Sequence, residues 1–446
     1  MLAILRNTSF HRLYAAQIVA LLGTGLATVA LALLAYELAG PDAGAILGTA
    51  LAIKMAIYVL LAPLAGALVP QARRKAVLVA LDIIRAGVVL ALPFVTEIWQ
   101  IYVLIALLQS GSAAFTPLFQ SLIPEILPQE RDYTRALSLS RLAYDLENLL
   151  SPAIAAALLT MVSFHGLFVG TSVGFVISAI LVVATTFPSI VREQRSEKPY
   201  ERARRGMRIY MRTPRLRGLL ALSLTAAAGG AMVIVNTVVI VRSQLQGGEQ
   251  QVAWALAAFG GGSMLVALLL PRVLDRLPDR RVMTTAATVM IAGLLVTTVV
   301  WLGAPSLITW PFVLGSWAVI GMGYAGLVTP SGRLLRRSAG PNDLTSLFAA
   351  QFSLSHACWL IAYPLAGWLG ALLGLGVALA ALSGLALVGL LIAYKVWPAD
   401  ESSSLAHSHP ELPDDHPHVL GQAAGSRSSA HEHAVMIDDL QPRWPG

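Results

Sequence analysis

Twelve long apolar runs, at about residues 12–37, 44–69, 76–96, 98–123, 137–163, 166–187, 217–241, 251–271, 283–302, 307–330, 344–371 and 374–397, alternate with polar gaps along the chain. Each run holds about 20 residues or more, enough as a helix rising ~1.5 Å per residue to cross a hydrocarbon layer of ~30 Å. The pattern predicts an all-α membrane protein with twelve transmembrane helices. Cations gather in every second gap: Arg73-Arg74-Lys75, Arg131 with Arg135, ten Lys and Arg from Arg192 to Arg217, Arg272 through Arg281, and Arg333 with Arg336-Arg337. The other gaps hold Glu37, Asp42, Glu97 and Glu249, and few cations beyond Arg242. The positive-inside rule then puts the basic gaps and both termini in the cytoplasm, as expected for a multi-pass protein of the cytoplasmic (inner) membrane. The first run is too long for a signal-peptide core and no small-residue cleavage site follows it, so it is expected to stay as a helix.

The longest and most basic internal gap, 188–216, divides the chain into an N-terminal six-helix half (1–187), a basic cytoplasmic linker (188–216) and a C-terminal six-helix half (217–398). The halves echo each other. Thr116-Pro117 is followed 35 residues later by Pro152, and Thr329-Pro330 is followed 34 residues later by Pro364; Arg74-Lys75 and Arg280-Arg281 recur at a similar offset. Internal repeats of this kind build many secondary transporters, with the substrate site near the midplane. The alternative is that bundles of many spans reuse Pro and Arg in similar places.

Composition agrees with a membrane protein: 56% hydrophobic residues, and 12% charged against a soluble average of ~25%. The formal charge of +7 does not point to nucleic acid, because the cations are spread over loops facing one leaflet, where they set topology and meet anionic head groups. The single cysteine, Cys358, excludes an internal disulfide. No phosphate-binding Gly-rich loop, HExxH or nucleophile elbow is present, so the chain is not expected to be an enzyme. Transport without an ATP site must run on a gradient, most simply of protons.

Residues 399–446 are rich in Ser, Asp, Pro and His and too polar to bury a core, so a disordered cytoplasmic tail is expected. Six of the nine histidines lie here as three His-x-His pairs, His407/His409, His416/His418 and His431/His433, with Glu411, Asp414, Asp415 and Glu432 among them. That composition points to metal binding, and neutral imidazole suits nickel, copper and zinc. A merely solvated tail is the alternative.

Ionisable groups at the centre of a span cost about 2.5–3.5 kcal/mol each and need a reason. Lys54 lies about ten residues into the second run. Asp82 and Arg85 are one turn apart in the third, a spacing that predicts a structural ion pair. The fifth run carries Arg141, Asp145, Glu147 and Asn148; Arg141, Asp145 and Asn148 share one helical face, and Glu147 points away from it. The eleventh, counterpart of the fifth, carries His356. Counted from the cytoplasmic ends, Asp145, Glu147 and His356 lie roughly 12–18 Å deep. Carboxylates and an imidazole at one depth can carry protons or ligate a divalent cation. Asp145, Glu147, His356 and Lys54 are therefore the candidate substrate- and proton-coupling residues. The alternative is interhelical hydrogen bonding, of His356 to a backbone carbonyl and of Asp145 to Arg141 or Lys54. Gln109, Ser110, Ser112, Thr116, Trp317 and Tyr324 are weaker candidates for a cavity lining.

The layout of six plus six spans resembles the major facilitator superfamily, whose hallmark is a gap after span two of the form G-x-L-x-D-R-x-G-R-K. Here that gap reads Gly66-Ala67-Leu68-Val69-Pro70-Gln71-Ala72-Arg73-Arg74-Lys75, with Pro70 and Gln71 in place of the Asp-Arg pair, while the gap after span eight retains Asp275-Arg276 and Arg280-Arg281. The resemblance implies the major facilitator fold and gating roles for Gly66, Arg74, Lys75, Asp275 and Arg276. Phe115-Thr116-Pro117, Ile123-Pro124-Glu125 and Asp82-Ile83-Ile84-Arg85 resemble the branch that includes macrolide and enterobactin exporters. Arg141 through Asn148, Phe348 through Phe352, Ser355 through Trp359 and the His-rich tail resemble the NreB-type nickel-resistance permeases. This implies nickel export, and the expected function is a proton-coupled exporter of a divalent cation, nickel first and cobalt or zinc as alternatives; no permanently bound cofactor and a monomeric state in the bilayer are expected. The six tail histidines would collect the metal. Two other functions fit the same residues: export of a drug, siderophore or other organic molecule with the tail regulatory, and a non-transporting metal sensor or buffer.

Overall fold

A computed structural model describes residues 2–68, 73–127, 129–186, 199–340, 343–399, 405–407 and 431–433, and at some of these positions, Gly66 and Asp145 among them, the backbone alone. The apolar runs fold as α1 (Thr8–Ala39), α2 (Ala43–Leu68), α3 (Arg74–Ala91), α4 (Ile98–Ile126), α5 (Glu130–Leu158) and α6 (Phe164–Val183). A linker helix α7 (Pro199–Arg212) leads to α8 (Pro214–Val239), α9 (Glu249–Leu274), α10 (Asp279–Gly303), α11 (Trp310–Val328), the short α12 (Ser331–Arg336), α13 (Leu344–Leu372) and α14 (Leu375–Val396).

Local signals set the ends. The Asn7 side chain accepts from the Phe10 amide at 3.0 Å and caps α1. Gly40, at φ 51°, ends α1, and Gly374, at φ 91°, separates α13 from α14; both adopt backbone that a side chain disfavours. Gln100 accepts from the Thr96 and Glu97 amides and opens α4.

Among the described residues, nine helical segments are long and apolar enough to cross a membrane, and the first of them, Thr8–Leu61, holds all of α1 and most of α2. The twelve runs read from the sequence exceed this number partly for that reason. In addition α5 and α13, at 29 residues each, are long enough to span but are not among the nine: α5 is heavily charged in its first five turns, and α13 carries Gln351, Ser353, Ser355 and His356 in its first half.

Packing repeats along the chain. In the first set α1 packs on α5 and α6, α2 on α4, and α3 on α4 and α6; in the second α8 packs on α13 and α14, α9 on α11, and α10 on α11 and α14. The pairings correspond helix for helix. Between the sets, α2 runs along α13 and α5 along α9. At the basic end of the bundle even single hydrogen bonds recur. Lys75 Nζ donates to the Thr185 carbonyl beyond α6 at 2.8 Å, and Arg280 Nε donates to the Trp397 carbonyl beyond α14 at 2.9 Å. Each cation satisfies an acceptor that the end of a helix leaves without an intrahelical partner.

Inside α3, Arg85 pairs with Asp82, whose other oxygen accepts from Ser178 of α6 at 2.8 Å. The guanidinium lies between the rings of Phe115 and Phe175, 4.3 and 4.5 Å from their centroids. This is the structural ion pair that the spacing predicts.

The α2–α13 crossing is close because glycines face each other: a Cβ on Gly367 would sit 2.2 Å from the Gly44 carbonyl oxygen. Gly367→Val is therefore expected to force the helices apart and lower the melting temperature in detergent, with an overpacking cost of about 1–3 kcal/mol. Gly384→Ala, where a Cβ meets nothing within 4 Å, should leave it unchanged.

In the tail, Leu405–His407 and His431–His433 pair as antiparallel strands β1 and β2, with His407 opposite His431. Composition predicts disorder there, and these six residues form a short ladder instead. His409, His416 and His418 lie outside the described residues.

Candidate functional site

Three of the four coupling candidates fall into one region between the two sets of helices. Lys54 sits on α2 and Glu147 on α5, and their charges act on each other across the gap between the two helices. Both remain half-buried despite lying well inside long helices. α5 is seated here by small residues. A Cβ on Gly25 of α1 would meet Ser151 at about contact-breaking distance and lie 3.5 Å from Glu147 Cγ, so α1 passes directly over the turn that carries Glu147. Pro152 in α5 cannot donate to the carbonyl of residue 148, which leaves an acceptor free of its helical bond in that same turn.

One turn beyond Lys54, Tyr58 continues the face toward α13. The ammonium lies 5.8 Å from the Tyr58 ring centroid. Tyr58 meets His356 edge-on at 5.3 Å between centroids, and Phe352 lies 4.0 Å from His356. His356 Nδ1 bonds the Phe352 carbonyl at 2.6 Å, which makes Nδ1 the donor and fixes the ring. The aromatic face of α13 continues with Trp359 and Tyr363, 4.9 Å apart, and reaches Tyr324 of α11 and Phe259 of α9. Phe352, His356, Trp359 and Tyr363 are spaced by four, three and four residues, so they form one helical stripe. Such a surface can hold a planar or apolar organic molecule beside a charge pair.

The side chain of Asp145 lies outside the described residues, as do those of Arg141 and Asn148. Among the described residues no group of three or more His, Cys, Asp or Glu lies together in a way that could hold a metal ion. The hydroxyls of Ser110, Ser112 and Thr116 donate to carbonyls four residues back in α4. Trp317 is buried and donates to Thr237 at 2.6 Å.

The gating candidates are divided. Gly66 is described by backbone only, whereas Arg74 is buried and Lys75 caps α6. Asp275 and Arg276 are exposed. The acid that makes ion pairs in that loop is Asp279, with Arg337 at 2.6 Å and Arg333 at 3.3 Å on and beside α12. Sequence reasoning missed Asp279, although its place just ahead of Arg280-Arg281 at the start of a helix is a visible signal.

Reasoning from sequence also missed how the linker docks. Arg205 of α7 grips Asp343 at the start of α13, at 2.6 Å and 3.1 Å, and Tyr210 donates to Gln351. Burial pushes the Tyr210 phenol well above its ordinary range, with Cys358 adding to the shift, so it stays a neutral donor. Gly206 permits this contact, since a Cβ there would sit 2.2 Å from the Ser346 carbonyl oxygen.

A family model described as the Major Facilitator Superfamily matches residues 13–241 and again 219–427. The chain is 26% identical over 224 residues to the uncharacterized MFS-type transporter YfiS of Bacillus subtilis (strain 168), covering 48% of this chain and 52% of that protein. It is 25% identical over 186 residues to macrolide efflux protein A of Streptococcus pyogenes, covering 41% of this chain and 45% of that protein. It thus spans about half the length of the curated relatives it matches. Among solved structures, the nucleoside transporter NupG superposes with a TM-score of 0.67 at 12% identity, over 87% of this chain and all of that one. A D-xylose-proton symporter does so at 0.63 and 14%, over 87% of this chain and 98% of that one. At such identities the likeness shows the fold alone. The family match falls twice and together the two runs cover nearly the whole helical bundle, so the chain belongs to the Major Facilitator Superfamily of membrane transporters.

Proposed function

We propose that this protein is a secondary active exporter that takes an organic cargo from the cytoplasm into the opening lined by Lys54, Glu147 and the aromatic stripe of α13. The observation that carries this reading is the juxtaposition of a charge pair with that stripe: Lys54 faces Glu147 on one side and the Tyr58 ring, with His356 behind it, on the other. Glu147 holds the cargo or a proton in alternation, and Lys54 supplies the counter-charge when neither is bound. The partial likeness to a macrolide efflux protein supports the outward direction and an organic substrate. In this reading α1–α6, α8–α11, α13 and α14 all span the bilayer as two six-helix halves joined by the linker 188–216. Both termini are cytoplasmic, the coupling ion is the proton, and the monomer is the working unit.

A second reading, export of a divalent cation such as nickel, is favoured by the three His-x-His pairs of the tail and by the register that sets His407 opposite His431. In that case His356 and Glu147 serve as ligands and the tail as a collector. One experiment separates the two. Cells with and without the protein are loaded with a panel of macrolides and other amphiphilic compounds, or with nickel, cobalt and zinc, and their content is measured by mass spectrometry and elemental analysis. Several-fold lower content of an organic compound, with metal content unchanged, is the expected result. Lower nickel with organic content unchanged establishes the second reading instead.

A further inference from the structure

Arg242 breaks the charge alternation: it stands in a gap otherwise nearly free of cations, where an arginine works against the topology. The structure supplies a reason for it. Residues Ile240–Gln244 leave the α-helical path of α8 in a wider π turn, closed by the Leu245 amide on the Ile240 carbonyl at 3.1 Å. Turns of this kind concentrate at functional positions. Here the π turn brings two consecutive side chains to one residue of α1. The Arg242 guanidinium lies 5.4 Å from the Tyr36 ring centroid, and Ser243 Oγ is 2.9 Å from the Tyr36 hydroxyl. The turn is braced behind them. Gln246 sits at φ 55°, unusual for a residue with a side chain, and donates to the Ser243 carbonyl at 2.8 Å, while Arg242 Nη1 donates to the Gly247 carbonyl at 3.3 Å. A second hydrogen bond between the two sets of helices, from Trp368 of α13 to Thr49 of α2 at 3.1 Å, belongs to the same cation-poor end of the bundle.

We infer that Tyr36, Arg242 and Ser243 form a latch that holds the cation-poor end shut between the two sets of helices, with Arg242 as a positioning residue for the alternation of access. Transport requires that end to open, so the latch must break once in each cycle. A cation over a ring and one hydroxyl pair are strong enough to bias a two-state equilibrium and weak enough to be reversed by cargo or proton binding.

The test reads the distance between spin labels at the exposed positions Glu37→Cys and Gln250→Cys, in full-length protein carrying Cys358→Ala and reconstituted in lipid nanodiscs. Arg242→Gln is expected to raise the ratio of long to short distances about fivefold, the size of a cation–π contact of about 1 kcal/mol. Tyr36→Phe keeps the ring but loses the hydroxyl pair, and should raise the ratio by a smaller factor, about three. Arg242→Lys keeps a cation over the ring and should return the distribution toward wild type. Unchanged distances in Arg242→Gln, with or without a lower melting temperature, would overturn the inference, as would equal shifts in the Gln and Lys variants. No cargo is needed, so the outcome is independent of which substrate is exported.

Discussion

Glu147→Gln is expected to reduce export to the level of cells lacking the protein, while the protein still reaches the membrane and unfolds cooperatively. The isostere preserves volume and hydrogen bonding but removes the charge that Lys54 answers. Lys54 then keeps an ammonium deep in the protein with no carboxylate opposite it, and breaking one side of an enclosed pair typically costs about 3–5 kcal/mol. Partial exposure of both groups puts the expected cost at the low end of that range. Lys54→Met alone strands the carboxylate in the same way and should also stop export. The double variant Lys54→Met with Glu147→Gln discriminates a functional pair from a structural one. Its melting temperature should recover toward wild type, because neither charge remains unanswered, yet export should stay absent. Uptake of cargo into inverted vesicles measures the second quantity, and recovery of export in the double variant would remove Glu147 from the transport cycle.

The largest effect on stability is expected at Arg85. Arg85→Met leaves Asp82, in a fully buried position, without its counter-charge and with the Ser178 hydroxyl still donating to it, and the same rule predicts a loss of about 3–5 kcal/mol. The readout is the yield of monodisperse protein in detergent and its melting temperature. Replacing both residues, as Asp82→Leu with Arg85→Met, should restore most of the loss, since apolar residues of similar size often substitute for an ion pair without penalty. Transport per folded molecule should be little changed. Asp82 and Arg85 are buried, whereas Lys54 and Glu147 stay half-buried.

Much of this was legible in the residues. The spacing of Asp82 and Arg85 within one turn specifies an ion pair without any tertiary information, because the helix itself brings them together. The paired prolines and basic gaps marked a repeat that the packing reproduces helix for helix. Lys54, Glu147 and His356 stood out as titratable groups in apolar runs, and the fold brings all three to one region. Their partners were not legible. Lys54 and Glu147 are separated by most of three helices in sequence, and nothing local specifies which face of α2 meets which face of α5. Tyr58 carries no signal of its own as an aromatic residue in an apolar run, and Phe352 stands out only as the end of the segment Phe348 through Phe352. Asp279 was hidden by the attention that the Asp275-Arg276 pair attracts, and only its burial against α12 distinguishes the two acids.

The residue pattern alone locates the long apolar segments, the basic loops between them, and a few charges inside apolar runs. These are properties of single segments, set by hydrophobic length and by the cost of an unpaired charge in hydrocarbon. That Lys54 answers Glu147, that α7 is clamped to α13 through Arg205 and Asp343, and that Arg242 reaches across to Tyr36 emerges from the folded bundle. Those contacts join residues far apart along the chain, and they depend on which helix faces meet. The choice of faces comes from the close approach that small residues such as Gly25, Gly44, Gly206 and Gly367 allow, a packing effect spread over many side chains and readable only once the helices are together.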